Sequence, residues 1–150
     1  MTPDEILDGL SDRKTVALTV WGEARGEGVT GMMAVACVIR NRALHPKVRW
    51  WGQGWKGVCL HPFQFSVWNE KDPNRRLLLP IAQGSPLPNG PMAVSMATAM
   101  AVTHDVLEGK LPDITKGADH YHTLDVRPPW KDDSKVVARF GAHIFYRLHP

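Results

Sequence analysis

WGEARGEGVTGMMAVACVI, residues 21–39, is the stretch on which the fold turns. From Met32 to Ile39 every side chain is apolar. A helix running from about Thr30 to Ala43 would therefore have no face for solvent along that stretch and belongs at the centre of a domain. Just before it, Gly22, Gly26 and Gly28 cluster where an earlier helix should stop. That earlier helix starts at a Ser11 or Asp12 cap, and its Ala17, Val20, Trp21 and Ala24 recur at i, i+3, i+4 and i+7, a single buried stripe. Further out, Thr2-Pro3-Asp4-Glu5 reads as a capping box with proline at the first helical position, opening a short helix to about Leu10. Pro91 begins a fourth long helix that ends before Gly109, with Ala93, Met96, Ala97, Met100 and Leu107 as its apolar stripe and His104 read as a satisfied core histidine. The middle, from His45 to Asn89, reads as irregular with a short helix near residues 76–82. His120–Leu124 and Ala142–Leu148 have the β-branched and aromatic character of short strands. The expected fold class is α+β, mostly helical, with a loop-rich lobe and short strands, over one domain spanning residues 1–150.

Composition agrees with that size. The chain has 150 residues, 43% of them hydrophobic and 22% charged, enough to bury a real core and too apolar for disorder. No run of eighteen apolar residues is present, so no integral membrane association is expected. The acidic N-terminus lacks the basic-then-apolar order of a signal peptide. Cys37 and Cys59 are too few for a disulfide framework and read as reduced, buried thiols.

Charge is informative through its placement. The net charge is +3, yet no acidic residue occurs between Gly28 and Asn69, where Arg40, Arg42, Lys47, Arg49 and Lys56 fall together with Trp50, Trp51, Trp55 and Trp68. Basic and aromatic residues together suit an anionic polymer, either a charged glycan or nucleic acid. The alternative is a solvated basic face over core tryptophans. Nucleic acid is disfavoured because the aromatics sit on no alternating strand platform and the net charge is low.

The densest chemical signal is Glu23 and Glu27, four apart at the glycine-broken helix end, in a chain with five glutamates. Glu23 lies on the flank of the apolar stripe, where partial desolvation raises a carboxyl pKa as a general acid near neutral pH requires. A surface pair of like charges, or a helix-end charge bound to Arg25, is the competing reading.

Residues 21–44, WGEARGEGVTGMMAVACVIRNRAL, resemble the opening motif of the SleB-type cell-wall hydrolases, which include spore-cortex-lytic enzymes and phage lysis proteins. Three further blocks follow in order: VCLHPFQFSVWNE at 58–70, GADHYHTLDVRPPW at 117–130 and GAHIFYR at 141–147. Together the resemblance covers about residues 15–147. It implies a lysozyme-like domain that acts on peptidoglycan glycan strands, cutting the β-1,4 bond between N-acetylmuramic acid and N-acetylglucosamine, with Glu23 as catalytic acid. Val67 departs from the pattern, standing where relatives commonly have cysteine.

Glycoside hydrolysis uses a second carboxylate about 5 Å or about 6.5–9.5 Å from the first, and Glu27, Glu70 and Asp72 are the nearest in sequence. Without one, the muramic acid 6-hydroxyl can attack instead, giving 1,6-anhydro ends. Lytic transglycosylation, the chemistry the resemblance implies, is the expected reaction, lysozyme-type hydrolysis the alternative, and a non-catalytic glycan-binding module the remoter one. Candidate substrate contacts are Glu27, Gln64, Ser66, Trp68, Tyr121 and Asn41. For Gln64 and Ser66 the other reading is loop packing, for Tyr121 a structural tyrosine, and for Asn41 a helix cap. Glu27 can also raise the pKa of Glu23 by like-charge repulsion. No cofactor is expected; His120 and His122 beside Asp119 hint at zinc, but spacing fixes no third ligand. The compact chain is expected to act as a monomer, made in a host cytoplasm without a signal peptide and acting on the wall after release, as a phage endolysin does.

Overall fold

The computed structural model describes residues 1–87 and 89–150. Helix α1 (Pro3–Asp8) is closed by the Thr2/Glu5 capping box, both reciprocal hydrogen bonds being made. Helix α2 (Asp12–Ala24) is capped by the Ser11 side chain on Lys14 N. Helix α3 (Gly28–Ala43) starts two residues earlier than the sequence suggests and holds Ala34 through Ile39 at zero exposure. Helix α6 (Pro91–Leu107) lies with α3 against α2, so α2 is packed on two sides. Trp21, fully buried on α2, donates its indole N–H to Ser95 Oγ of α6 at 2.8 Å.

The middle of the chain is more ordered than its composition suggests. It contains helix α4 (Gly54–Leu60), a 3₁₀ turn (Ser66–Trp68) and helix α5 (Pro73–Ala82), which the sequence placed only in part. Val58 and Cys59 of α4 are buried against α2 and α3. Cys37 and Cys59 are free thiols in the core, and burial pushes their pKa values up to about 11 and about 12.

Three antiparallel strands complete the fold: β1 (His120–Thr123), β2 (Val136–Phe140) and β3 (His143–Tyr146), in the order β1-β3-β2. The sequence reading missed β2, which is half-buried except at the exposed Arg139 and carries an irregular register beside Val136. Ala34 and Val38 meet Ala118 and Phe145 of the sheet side in a small second core, so α3 is covered on that face too. No described helix is long and apolar enough to cross a membrane.

One expectation fails on α6. Its buried face is Met96, Ala99, Val102, Thr103 and Val106, while Ala97 is exposed and Met100 is 59% exposed. His104 is exposed as well, its Nδ1 3.1 Å from Arg13. The helix is apolar nearly all round, and periodicity alone did not select the face that packs.

Candidate active site

The last turn of α2 carries Glu23 into a groove of about 640 Å³. Gly22 makes this possible: a Cβ there would lie 2.9 Å from Val67 Cγ1 and 3.1 Å from Leu78 Cδ1, so only glycine lets the 3₁₀ turn close on the helix. With the turn this close, Val67 N–H and Ser66 Oγ–H both donate to Glu23 Oε2 at 3.2 Å. Tyr121, from β1, donates its phenol to Oε1. The Tyr121 ring is fixed by Phe145 at 5.5 Å, His143 at 5.0 Å and Phe65 at 6.4 Å between centroids.

Burial raises the pKa of Glu23 above the ordinary carboxylate value, and Asp72 adds a small repulsion. The hydrogen bonds from Tyr121, Val67 and Ser66 oppose the rise without cancelling it. A half-buried carboxyl that holds its proton more tightly than an exposed one, ringed by donors that would support the carboxylate once the proton leaves, is the arrangement a general acid needs. Of the described residues lining the groove, Glu23 is the one carboxylic acid.

Arg42 lies beneath the groove rather than on a basic surface. It is 5% exposed, its Nε donates to Asp119 O at 2.7 Å and its Nη1 to Gln64 Oε1 at 3.0 Å, with Trp51 and Phe65 stacked on the guanidinium. Burial lowers its pKa to about 10, which leaves it charged at neutral pH. Because arginine only donates, the amide oxygen of Gln64 must face it, which leaves the Gln64 NH₂ as the donor available to a ligand. Three more cations of the basic stretch are also engaged internally, while Lys47 is exposed. Arg40 binds Leu111 O, Arg49 the carbonyls of His45, Pro46 and Val48, and Lys56 those of Asp8 and Leu10. The acid-free segment is thus a set of carbonyl clamps more than an anion-binding face, and its tryptophans divide: Trp51 and Trp68 are buried, Trp50 is 51% exposed on the groove.

Of the residues singled out by sequence, Glu23, Gln64, Ser66 and Tyr121 line one groove. Three others do not. Trp68 is buried and donates its indole N–H to Thr19 Oγ1 at 2.8 Å. Asn41 donates to Asp113 Oδ2 at 3.0 Å and Ala118 O at 2.8 Å, which ties α3 to the approach to β1. Glu27 precedes α3 and accepts from Ala142 N at 3.1 Å, so it holds the β2–β3 turn, and it is not among the main influences on Glu23. Residues the sequence reading passed over also line the groove, among them Asn74, Trp130 and His143. Trp130 closes the block at 117–130, and that place was its available signal.

The histidines beside Tyr121 also line the groove, and each is engaged by its neighbours. His120 Nδ1 lies 2.8 Å from Asp119, whose carboxylate also accepts from Leu148 N and His149 N and so clamps the C-terminal segment. His122 bonds Thr123 O through Nδ1 and the Tyr146 hydroxyl through Nε2, at 2.7 and 2.6 Å. Among the described residues no group of three or more His, Cys, Asp or Glu side chains is placed to hold a metal ion.

Residues 26–146 match the family described as Cell Wall Hydrolase. The matched span begins three residues after Glu23. The chain is 30% identical over 139 residues to a spore cortex-lytic enzyme of Halalkalibacterium halodurans; the match covers 90% of this chain and 34% of that protein, so this chain spans about a third of its relative's length. Two solved structures share the fold. One is the catalytic domain of the germination-specific lytic transglycosylase SleB from Bacillus anthracis, at 27% identity and TM-score 0.60, covering 93% of this chain and 98% of that one. The other is the catalytic domain of the Bacillus cereus SleB protein, at 27% identity and TM-score 0.61, covering 93% of each.

Proposed function

The chain belongs to the cell wall hydrolase family, and on that footing we propose that its groove binds a peptidoglycan glycan strand and that Glu23 cleaves the β-1,4 bond following N-acetylmuramic acid as a lytic transglycosylase. The carboxyl of Glu23 gives its proton to the glycosidic oxygen as the bond from the muramic anomeric carbon to that oxygen breaks. The 6-hydroxyl of the same muramic acid attacks the anomeric carbon and closes a 1,6-anhydro ring, and its proton returns to the Glu23 carboxylate. No water is consumed. The observation that carries this reading is the lone carboxyl: the described groove lining offers no second acid to act as nucleophile or to activate water. Attack from within the same sugar also keeps the nucleophile at high effective concentration. Tyr121 and Val67 N–H suit the carboxylate that forms when the proton leaves. The Gln64 NH₂ suits an N-acetyl carbonyl, because Arg42 already occupies the amide oxygen.

Mass spectrometry of muropeptides released from purified peptidoglycan tests the reaction. The expected products end in 1,6-anhydromuramic acid, one water lighter than the hydrolytic product. Reducing muramic acid as the dominant end would overturn transglycosylation, and no release at all would overturn the substrate. The finer role, a phage endolysin acting on vegetative walls, belongs to the same proposal. Loss of turbidity in vegetative wall suspensions supports it, whereas activity restricted to spore cortex would favour the role in its relative's name.

A further inference from the structure

Between α4 and the 3₁₀ turn, His61-Pro62-Phe63-Gln64 closes on a hydrogen bond from Gln64 N to His61 O at 3.2 Å. Proline in second position and a positive φ in third describe a type II turn. That third position is the place for glycine or asparagine, and here it holds Phe63 at φ +64°. For a bulky side chain the left-handed region is an outlier, sustained only when the surroundings enforce it. They do: Gln64 is held by Arg42, and Phe65 is locked in the core at 2% exposure.

Folding gains little from this ring. Phe63 is 85% exposed, more than any other large hydrophobic side chain described except Met1, and none of the described aromatic pairs includes it. A strained backbone and a bare apolar ring both count against the folded state. The ring lines the Glu23 groove, and its turn runs directly into Gln64 and Ser66. Ser66, whose hydroxyl touches Glu23, is three positions beyond Phe63, so at most about 10 Å of backbone lies between them. Exposed apolar surface on a groove marks a binding surface.

We propose that Phe63 is a sugar-stacking platform, a binding site for the apolar C–H face of an uncharged N-acetylhexosamine ring in the strand that Glu23 cuts. This rests on the reading of the groove as a glycan site. The strain is what presents the ring: a glycine at this position would relax the turn and remove the platform together. Stacking on a flat aromatic face asks for no charge and no fixed hydrogen-bond pattern, which suits a repeating polymer that must slide and re-register.

The test uses full-length protein in a Glu23→Gln background, so that binding is read without turnover. The ligands are chitotetraose and peptidoglycan strands stripped of stem peptides, followed by calorimetry and co-sedimentation. Phe63→Gly is expected to weaken binding of both by about tenfold or more while thermal stability stays level or rises. Phe63→Trp, which keeps an aromatic face, is expected to hold affinity near the parent. In the active enzyme, Phe63→Gly should raise KM with kcat within about threefold, the signature of binding energy shared by ground and transition states. Unchanged affinity in Phe63→Gly, with the parent still binding glycan, overturns the platform and leaves the glycan reading standing. A Glu23→Gln parent that binds neither ligand overturns both. Weakened binding in Phe63→Gly alongside a fully lytic Glu23→Gln protein would sustain the platform and remove Glu23 from the chemistry.

Discussion

Replacing Tyr121 with phenylalanine should make the enzyme slower at low pH and, at high pH, as fast as wild type or up to about threefold faster. The ring stays, because its packing on Phe65, Phe145 and His143 involves no hydroxyl. What goes is the hydrogen bond donated to Glu23 Oε1. A hydrogen bond to a charged group is worth about 1.5–3 kcal/mol and one to its neutral form about 0.5–1.5 kcal/mol. The difference, about 1–1.5 kcal/mol, favours the carboxylate, and at about 1.4 kcal/mol per pH unit its loss raises the Glu23 pKa by about one unit. A weaker acid transfers its proton more slowly. With Brønsted sensitivity between a half and one, the low-pH plateau of kcat should fall about 3- to 10-fold. The alkaline limb, where Glu23 loses its proton, should meanwhile move up by about one unit, and the gain in protonated enzyme there offsets the slower transfer. A pH series of initial lysis rates, from acid to mildly alkaline buffer, reads both effects. If the plateau falls with the limb unmoved or moved down, Tyr121 is not supporting the ionised form of Glu23. If neither changes, the hydroxyl has no part in the reaction.

Two further substitutions bear on the same corner. Glu23→Gln should reduce lysis by at least about 100-fold, the lower end of what general acid catalysis supplies, while stabilising the protein at neutral pH. The folded-state pKa of Glu23 is raised, so the stability that its neutral form confers is complete below about pH 4 and lost as pH rises through the folded value. Thermal melts should therefore coincide in acid and separate in the variant's favour toward neutrality; a variant that loses ground as pH rises would reverse the argument. Gly22→Ala should cost about 1–3 kcal/mol by overpacking against Val67 and Leu78, exceeding the ~1 kcal/mol gained in helix propensity. It should also lower lysis, because Val67 N–H and Ser66 must withdraw from Glu23. Denaturant melts and turbidity assays on one preparation check both, and a stabilised, fully active variant would show that the turn does not need this close approach.

What the sequence revealed follows from where its periodicity was unambiguous. The α2 positions Ala17, Val20, Trp21 and Ala24 are buried as the spacing requires, although Thr15–Trp21 is buried without a break. Helix α3 is apolar on all sides from Met32 to Ile39, so both helices were readable. The face of α6 was not, because Ala97 and Met100 are as apolar as the Ala99 and Val102 that pack. Helix α4 was hidden by its glycines, and β2 by a burial pattern that never alternates. In the groove, Glu23, Gln64, Ser66 and Tyr121 belong to compact motifs and could be picked out. The Val67 donor is a backbone group that no residue identity announces. Arg42 read as surface charge because burying a cation under tryptophan depends on partners 22 and 77 residues away. Trp68 was assigned to sugar binding from its neighbourhood, but its indole N–H has a buried partner in Thr19.

The glutamate pair shows how environment divides two like residues four apart. Glu27 was expected to raise the pKa of Glu23 by repulsion, which presumes that both carboxyls face the same space. They do not. The glycines between α2 and α3 turn the chain, so Glu23 stays on the last turn of α2 above the core while Glu27 points to the β2–β3 turn. Gly141 at that turn has φ +55° and approaches Glu27 so closely that a Cβ there would meet the carboxylate, which fits Glu27 acting as a brace for the strands. The proton on Glu23 is held chiefly by desolvation, with the residual repulsion coming from Asp72, itself engaged in capping α5 through Asn74 N at 2.8 Å. A carboxyl raised by burial needs no charged neighbour in the groove, and its acidity then depends on how tightly the 3₁₀ turn closes over it. The glycine at position 22 thus acts on the chemistry without touching a substrate: by setting the depth of Glu23 it sets when that residue holds its proton.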